Sequence, residues 1–340
     1  MLAGVIALGV QTWGTDIGAL RRYWSAADRL GYARVTYGDG LWSFTHNGWT
    51  MLAALAAVTR RVRIGPAVTC AFDPSSHHPS WLAKRAVAVD QLSGGRLDLR
   101  LGVGATDAAT AAAWASHGIP YPSPARRIAR LEEAVEIVRA LWRGVPVTRA
   151  GSAVTLSGAR LGPRPAQRPG PPVWIAAMGP RARALAARRA DGWEASYVTP
   201  DEFAALWADV GRRLTAAGRA PSTLRRSVEI DVALTRSAAG AARAVAAFCA
   251  ARAIERGHPL AATVLAGGPD AVAGRIVEYA RAGATDLMLG FTDFPSTRML
   301  EAFAADVRPR IAALAGRRRA TRPAALSRPA PRRSATPRAT

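Results

Sequence analysis

Two hydrophobic periods take turns along this chain. Residues 4–10 form a short apolar run of strand character. Residues 16–31 change to helical spacing, with Ile17, Leu20, Trp24, Ala27 and Leu30 on one stripe and Gly31 as its stop. A second strand is predicted at 33–37, an alanine-rich helix at 50–59 and a third strand at 62–69. The next helix spans 78–92. It opens on Pro79, whose missing N–H is unpaired in a first turn anyway, and closes at Ser93-Gly94-Gly95, where glycine accepts the left-handed conformation of a C-terminal cap. The strand after it, from Leu97, ends in Gly102-Val103-Gly104-Ala105. The clearest helix is 125–142, with Ile128, Leu131, Val135, Val138, Leu141 and Trp142 on one face and arginine and glutamate opposite.

Residues 144–172 break the rhythm. They are rich in glycine and proline, with one short strand near 153–156, and read as an insertion at the edge of the fold. Regularity returns with a strand at 172–177, a helix at 180–189 and a short strand after Asp191-Gly192-Trp193. Helices are predicted at 203–216, 238–256, 269–282 and 296–314, and strands at 228–234 and 285–290. Repeated strand-then-helix units imply a parallel sheet with right-handed crossovers. About eight of each favour an α/β fold, a single (β/α)8 TIM barrel over residues 1–315. An open doubly wound sheet is the alternative. Residues 316–340 turn to Arg, Pro, Ala, Ser and Thr, too little apolar content to offset ordering, so a disordered tail is expected.

Charge changes the picture little. The formal net charge is +22, but lysine occurs once, at Lys84, and eight arginines without an acid fall after Gly316. No groove-reading motif or ladder of stacking aromatics accompanies the arginines, so specific nucleic-acid binding is not expected. No membrane span is read. The apolar start lacks a basic n-region, which reads as a first strand rather than a signal peptide. Cys70 and Cys249 give no disulfide framework, and a cytoplasmic protein is the simplest reading. His77 and His78 have no further ligands at metal spacing, so no metal is expected. Lys84 sits within a helix rather than at a strand end, which argues against Schiff-base barrel chemistry.

Candidate chemistry collects where strands end in small residues, since these let a ligand approach the backbone. The segment from His78 to Ala105, Gly31-Tyr32-Ala33-Arg34-Val35-Thr36-Tyr37-Gly38-Asp39, residues 49–65, and Pro172-Val173-Trp174-Ile175-Ala176-Ala177-Met178-Gly179-Pro180 with Ala190-Asp191-Gly192-Trp193 occur in one order and spacing. Together they resemble the luciferase-like monooxygenase superfamily, whose members use flavin or the deazaflavin coenzyme F420. The resemblance covers residues 4–315. It implies cofactor binding at the C-terminal face of the barrel. Ala67 and Val68 would lie behind the cofactor ring with a non-prolyl cis peptide between them, and Trp42 would wall the ring pocket or, equally, pack in the core. Ala105 and Thr106 would meet the ribityl chain, and the turn Ala176, Ala177, Met178 and Gly179 would cradle a phosphate.

Asp39 and Asp107 are the expected catalytic residues. Asp39 follows the second strand as a proton relay or substrate-orienting group, or as an ordinary turn residue in Gly38-Asp39-Gly40. Asp107 aligns with an acid that some members carry after the fourth strand; its carboxylate would bind the cofactor's ribityl chain, or it is the cap of the next helix. Gly40 stands where relatives often carry histidine, which argues against histidine-based proton transfer. Arg181 and Arg183 read as a solvated helix face. The resemblance favours F420-dependent hydride transfer to or from a small organic substrate. An FMNH2-dependent monooxygenase of the alkanesulfonate type and a non-catalytic flavin-binding relative are the alternatives. A flavin or F420 reductase and a second copy of the chain are the expected partners.

Overall fold

The structure is a computed structural model and describes residues 6–72 and 78–320. Its strands are β1 (Ala7–Thr12), β2 (Arg34–Tyr37), β3 (Arg63–Pro66), β4 (Thr69–Cys70), β5 (Leu99–Gly102), β6 (Val147–Ala150), β7 (Thr155–Ala159), β8 (Val173–Ala176), β9 (Gly192–Ser196), β10 (Arg225–Leu234), β11 (Leu265–Gly267) and β12 (Asp286–Phe291). The helices are α1 (Ile17–Arg29), α2 (Gly48–Val58), α3 (Pro79–Leu92), α4 (Ala108–Ser116), α5 (Pro124–Trp142), α6 (Pro180–Arg189), α7 (Pro200–Ala216), α8 (Ala238–Ala251), α9 (Pro269–Arg281), α10 (Arg298–Ala302) and α11 (Arg308–Ala320). One π-helical turn, Phe303–Val307, joins the last two.

Parallel pairing runs β3-β2-β1-β12-β10-β9-β8-β5-β4. A bridge between Ile64 and Leu97, with Ile64 N–H donating to Arg96 O and Asp98 N–H to Ile64 O, brings β3 back against β5. The sheet therefore closes as a barrel of eight staves, as the alternation predicts. The third stave is β3 and β4 together, interrupted at Ala67–Val68, where the peptide bond is cis. Val232 pairs with Phe291 on one side and Leu265 on the other, so β11 extends the β9 side of β10 beyond the end of β9.

Most elements start where local chemistry dictates. Asp16 caps α1 by accepting from Ala19 N–H. His78 caps α3 through Nδ1, a helix-start role; its neighbour His77 lies outside the described residues. Thr199 and Glu202 form a capping box that starts α7 earlier than its apolar stripe shows. The insertion holds an antiparallel hairpin, β6 with β7, off the barrel. Two boundaries move. Helix α11 runs to Ala320, so the tail cannot begin at residue 316, and the rest of that tail, 321–340, lies outside the described residues. Helix α8 stops at Ala251, short of the expected 256. Elements β11 and α4 have no sequence counterpart: the first is three residues long, and the second is too rich in alanine to show a stripe.

The barrel interior is charged and layered. At the base, residues that open or immediately precede the strands pair across it: Arg34 with Asp98 (2.8 Å) and Asp286, Arg63 with Asp98 (2.7 Å), and Arg225 with Asp286 (2.7 Å). Burial alone would raise the Asp98 carboxyl, but Arg34 and Arg63 hold it below the usual aspartate range. One layer up, Arg100 pairs with Glu194, which also accepts from Ser227 Oγ (2.8 Å). The guanidinium carbons of Arg34 and Arg100 lie 5.0 and 4.7 Å from the centroid of the Trp174 ring. The apolar core lies outside the barrel, between its strands and the helices.

Candidate functional site

The C-terminal ends of the strands open into a cleft of two adjoining lobes. The first, about 290 Å³, is lined by Gln11, Asp39, Trp42, Ala67, Val68, Cys70, Gly104 and Ala105 among others. The second, about 670 Å³, shares Val68, Gly104 and Ala105 with it and adds Thr106, Asp107, Arg127, the Ala176–Gly179 turn and Ser196. Both are of ordinary size for a small-molecule site. The cleft thus gathers every residue that the sequence nominates: Asp39, Trp42, Ala67, Val68, Ala105, Thr106, Asp107, Ala176, Ala177, Met178 and Gly179.

Asp39 is buried at the end of β2. Thr69 Oγ1 donates to its Oδ2, and Trp49 Nε1 donates to the same Thr69 hydroxyl (3.2 Å). The carboxylate is therefore held by its neighbours, and its place is more than a turn. Trp42 is exposed at the rim and stacks on Phe44 (6.2 Å between centroids, 8° between planes), so it is no part of the core.

Asp107 does the capping its alternative reading anticipates. It accepts from Thr110 N–H (2.7 Å) and Thr110 Oγ1 (2.9 Å) at the start of α4, and these bonds hold its carboxyl below the usual range. A carboxylate so held and so exposed is a poor store for a proton at neutral pH. Its side chain anchors the first turn of α4 beside the second lobe.

The Ala176–Gly179 turn needs one correction. Ala177 N–H is taken by Glu194 O (3.0 Å) and its carbonyl by Trp193 Nε1 (2.8 Å), so Ala177 has no free donor for a phosphate. The donors of this turn lie further on, where α6 opens at Gly179 without a side-chain cap. That arrangement fits an anionic group, since the first amides of a helix lack partners within it. Gly179 has φ −73°, and a Cβ there meets nothing within 4 Å. Arg181 lines the lobe. Arg183 is bound to Asp209 (2.8 Å) and to Met178 O, bracing the turn from outside.

Three features escape the sequence reading. Arg127, read as part of the polar face of α5, is buried and lines the second lobe. Its Nη1 donates to Val103 O, Ala105 O (2.9 Å) and Tyr121 Oη (2.7 Å), and its guanidinium lies 4.2 Å from the Tyr121 centroid. It clamps the loop around Gly104, where φ is +73° and a Cβ would strike Tyr121 Oη. Cys70 lines the first lobe with its thiol pushed up to about 12 by burial and then by the Asp39 charge, so it stays protonated.

The third feature is a ladder of acids on β10. Glu229 and Asp231 alternate with Val228, Ile230 and Val232. That alternation is the sequence signal for one polar face, and in a closed barrel this face looks inward. Burial, then the Glu194 charge, pushes Glu229 up to about 7. Burial likewise raises Asp231, although Arg252 pairs with it at 2.9 Å. Among the described residues, no group of three or more His, Cys, Asp or Glu is placed to hold a metal, and no helix is long and apolar enough to cross a membrane.

With this geometry in hand, known proteins give the comparison. The model of a family described as luciferase-like monooxygenase matches residues 3–286. A 5,10-methylenetetrahydromethanopterin reductase of Archaeoglobus fulgidus is 31% identical over 220 residues, covering 63% of this chain and 62% of that protein. An F420-dependent hydroxymycolic acid dehydrogenase of Mycobacterium tuberculosis is 30% identical over 218 residues, covering 60% of this chain and 56% of that protein. The chain thus spans about three-fifths of the length of these curated relatives. Among solved structures, an F420-dependent secondary alcohol dehydrogenase in complex with an F420-acetone adduct superposes with a TM-score of 0.79 at 18% identity, over 91% of this chain and 99% of that one.

Proposed function

Because this chain belongs to the luciferase-like monooxygenase family, we propose that it is an oxidoreductase that takes coenzyme F420 in the two-lobed cleft and serves hydride transfer to or from a small organic substrate. One observation carries the reading. The cleft unites a wall at Ala67–Val68, a clamped turn at Gly104–Thr106 and an uncapped helix start at Gly179. A planar ring bearing an anionic tail needs such a wall, spacer and anion site in that order. The F420-dependence of the mycobacterial relative supports the deazaflavin over FMN.

A bound deazaflavin supplies two-electron hydride chemistry that amino-acid side chains cannot. The protein's own residues bind, orient and exclude water. The turn at Met178–Gly179 and Arg181 hold the phosphate end. Arg127, through Val103 O and Ala105 O, keeps the Gly104 turn in its left-handed shape beside the ring site. Asp39, fixed by Thr69, orients a polar substrate group in the first lobe, and Trp42 with Phe44 forms its apolar rim.

Titrating the cofactor-free protein with FMN and with the deazaflavin tests this directly. Tighter binding of the deazaflavin is expected. Equal affinities, or FMN about tenfold tighter, a margin of ~1.4 kcal/mol, would overturn the assignment in favour of a flavin-dependent monooxygenase.

A further inference from the structure

Glu229 is hydrogen-bonded to one residue of each lobe. On β10 it stands in register with Ser196 of β9 and with Met288 of β12. Its two oxygens have different partners: Gln11 Nε2 donates to Oε1 (2.7 Å), and Ser196 Oγ lies 3.1 Å from Oε2. Gln11 lines the first lobe and Ser196 the second. Ser196 N–H also meets Met178 Sδ at 3.4 Å, which ties this serine to the turn that opens α6. An amide nitrogen can only donate, so Oε1 is fixed as an acceptor. A proton on Glu229 therefore belongs on Oε2, facing a hydroxyl that both accepts and donates.

We propose that Glu229 and Ser196 form a proton relay from the barrel interior into the second lobe, serving the oxygen of a carbonyl or alcohol substrate. The inference rests on the hydride-transfer reading above. In reduction, a hydride from the reduced deazaflavin forms the new C–H bond as the carbonyl π bond opens. The oxygen takes the Ser196 hydroxyl proton, Ser196 takes the Oε2 proton, and Glu229 is left as carboxylate. The substrate gains two electrons and two hydrogens, and water in the cleft returns the proton to Glu229. Oxidation of an alcohol to the oxidised cofactor runs the same steps backwards.

The surroundings keep Glu229 able to change state. From β9, Glu194 opposes its ionisation, although Arg100 and Ser227 bind that carboxylate. From β10 itself, Asp231 opposes it too, partly offset by Arg252 at the end of α8; Tyr197 Oη lies between Asp231 and Arg252. β1 brings only the Gln11 amide, and β12 brings uncharged Met288. Burial and these charges together push Glu229 up to about 7. A group poised there exchanges protons most effectively at neutral pH.

Two measurements on the full-length protein decide the matter. The first is a carboxyl titration by 13C NMR of glutamate-labelled protein, with and without deazaflavin. One glutamate is expected to titrate near neutrality, and Glu229→Gln is expected to remove that signal; its persistence in the variant would overturn the proposal. The second is the pH profile of carbonyl reduction. Glu229→Gln is expected to lower kcat at pH 7 by about a hundredfold and to flatten the profile, with KM for the deazaflavin unchanged. Glu229→Asp should restore part of the rate. A Glu229→Gln profile that superimposes on wild type would overturn the relay. Should Glu229→Gln fail to fold, Ser196→Ala removes the hydroxyl and leaves Glu229; an unchanged kcat and profile there also overturn it. Absence of turnover by wild-type protein with either cofactor would instead sink the oxidoreductase reading, and the proton's destination with it, whatever the titration shows.

Discussion

The indole of Trp42 lies directly over Gly40: a Cβ built at Gly40 would come within 2.6 Å of Trp42 Nε1. A side chain at Gly40 would have to displace the Trp42 indole from this place. The glycine that stands where relatives often have histidine is thereby explained by packing at the rim of the first lobe.

Gly40→His is expected to push the Trp42 indole off its place. Loss of an ordered aromatic contact is worth about 0.5–1.5 kcal/mol, so deazaflavin affinity should weaken by roughly two- to tenfold. Tryptophan fluorescence should shift at the same time. An unchanged spectrum with unchanged affinity would show that both residues fit.

Gly179→Val tests the anion site with little structural interference. The φ of −73° suits valine and the added Cβ meets nothing within 4 Å, so the variant should fold, as circular dichroism can check. If an anion sits on this turn, a lost charge-assisted hydrogen bond of roughly 1.5–3 kcal/mol should weaken cofactor binding about tenfold to a hundredfold. Met178→Ser keeps the backbone donors and should bind as wild type. Undiminished binding by folded Gly179→Val would move the phosphate elsewhere.

Gly104 and Gly31 share a left-handed conformation, at φ +73° and +72°, but differ in company. A Cβ at Gly31 meets nothing, whereas at Gly104 it strikes Tyr121 Oη and comes within 3.1 Å of Arg127 Nη1. Gly31→Ala should cost only the backbone term, about 1–2 kcal/mol. Gly104→Ala should lower Tm further and also weaken cofactor binding. Equal Tm losses would mean that the Tyr121–Arg127 clamp yields without cost.

Stability should carry the mark of Glu229. A carboxyl raised on folding holds its proton more tightly in the native state, so native stability falls as pH rises from the ordinary glutamate value to about 7, then levels off. Asp98 has the opposite sign: its lowered carboxyl stabilises the fold above the ordinary aspartate value, and that contribution is lost as pH falls through its folded value. Thermal melts of wild type and Glu229→Gln from pH 5 to 8 should therefore diverge, with the variant gaining relative stability towards pH 8. Parallel curves would contradict the raised carboxyl.

The sequence carried the barrel because closure depends on alternation and caps, both local. Pro79, Pro180 and Gly31 mark helix ends whatever surrounds them. The wall and turns of the cleft came from the resemblance to the family, carried by the order and spacing of segments that end strands in small residues. Glu229 and Arg127 were hidden for a different reason. Alternation of Val228 to Val232 shows that one strand face is polar, and the spacing of α5 shows where its arginines fall, but neither tells whether a polar side chain meets water or a partner. Burial of Arg127 depends on Tyr121 and on the Val103 and Ala105 carbonyls, and the position of Glu229 depends on Gln11, which is 218 residues away.

The seam between the third and fourth staves is sewn at both ends, by the Ile64–Leu97 bridge below and by the pairing of Thr69 with Leu101 and of Cys70 with Gly102 above. Gly65 lets β3 close in on Asp98 O, and the Asp98 carboxylate links Arg34 with Arg63 below it. Between these ends, at Ala67–Val68, the third stave is interrupted and lines the cleft with residues whose side chains are small. A wall made largely of main chain offers mutation little to alter. Divergence in what this protein accepts should accordingly be written in the rim segment around Trp42 and Phe44, while the surface beneath it stays the same from one variant to the next.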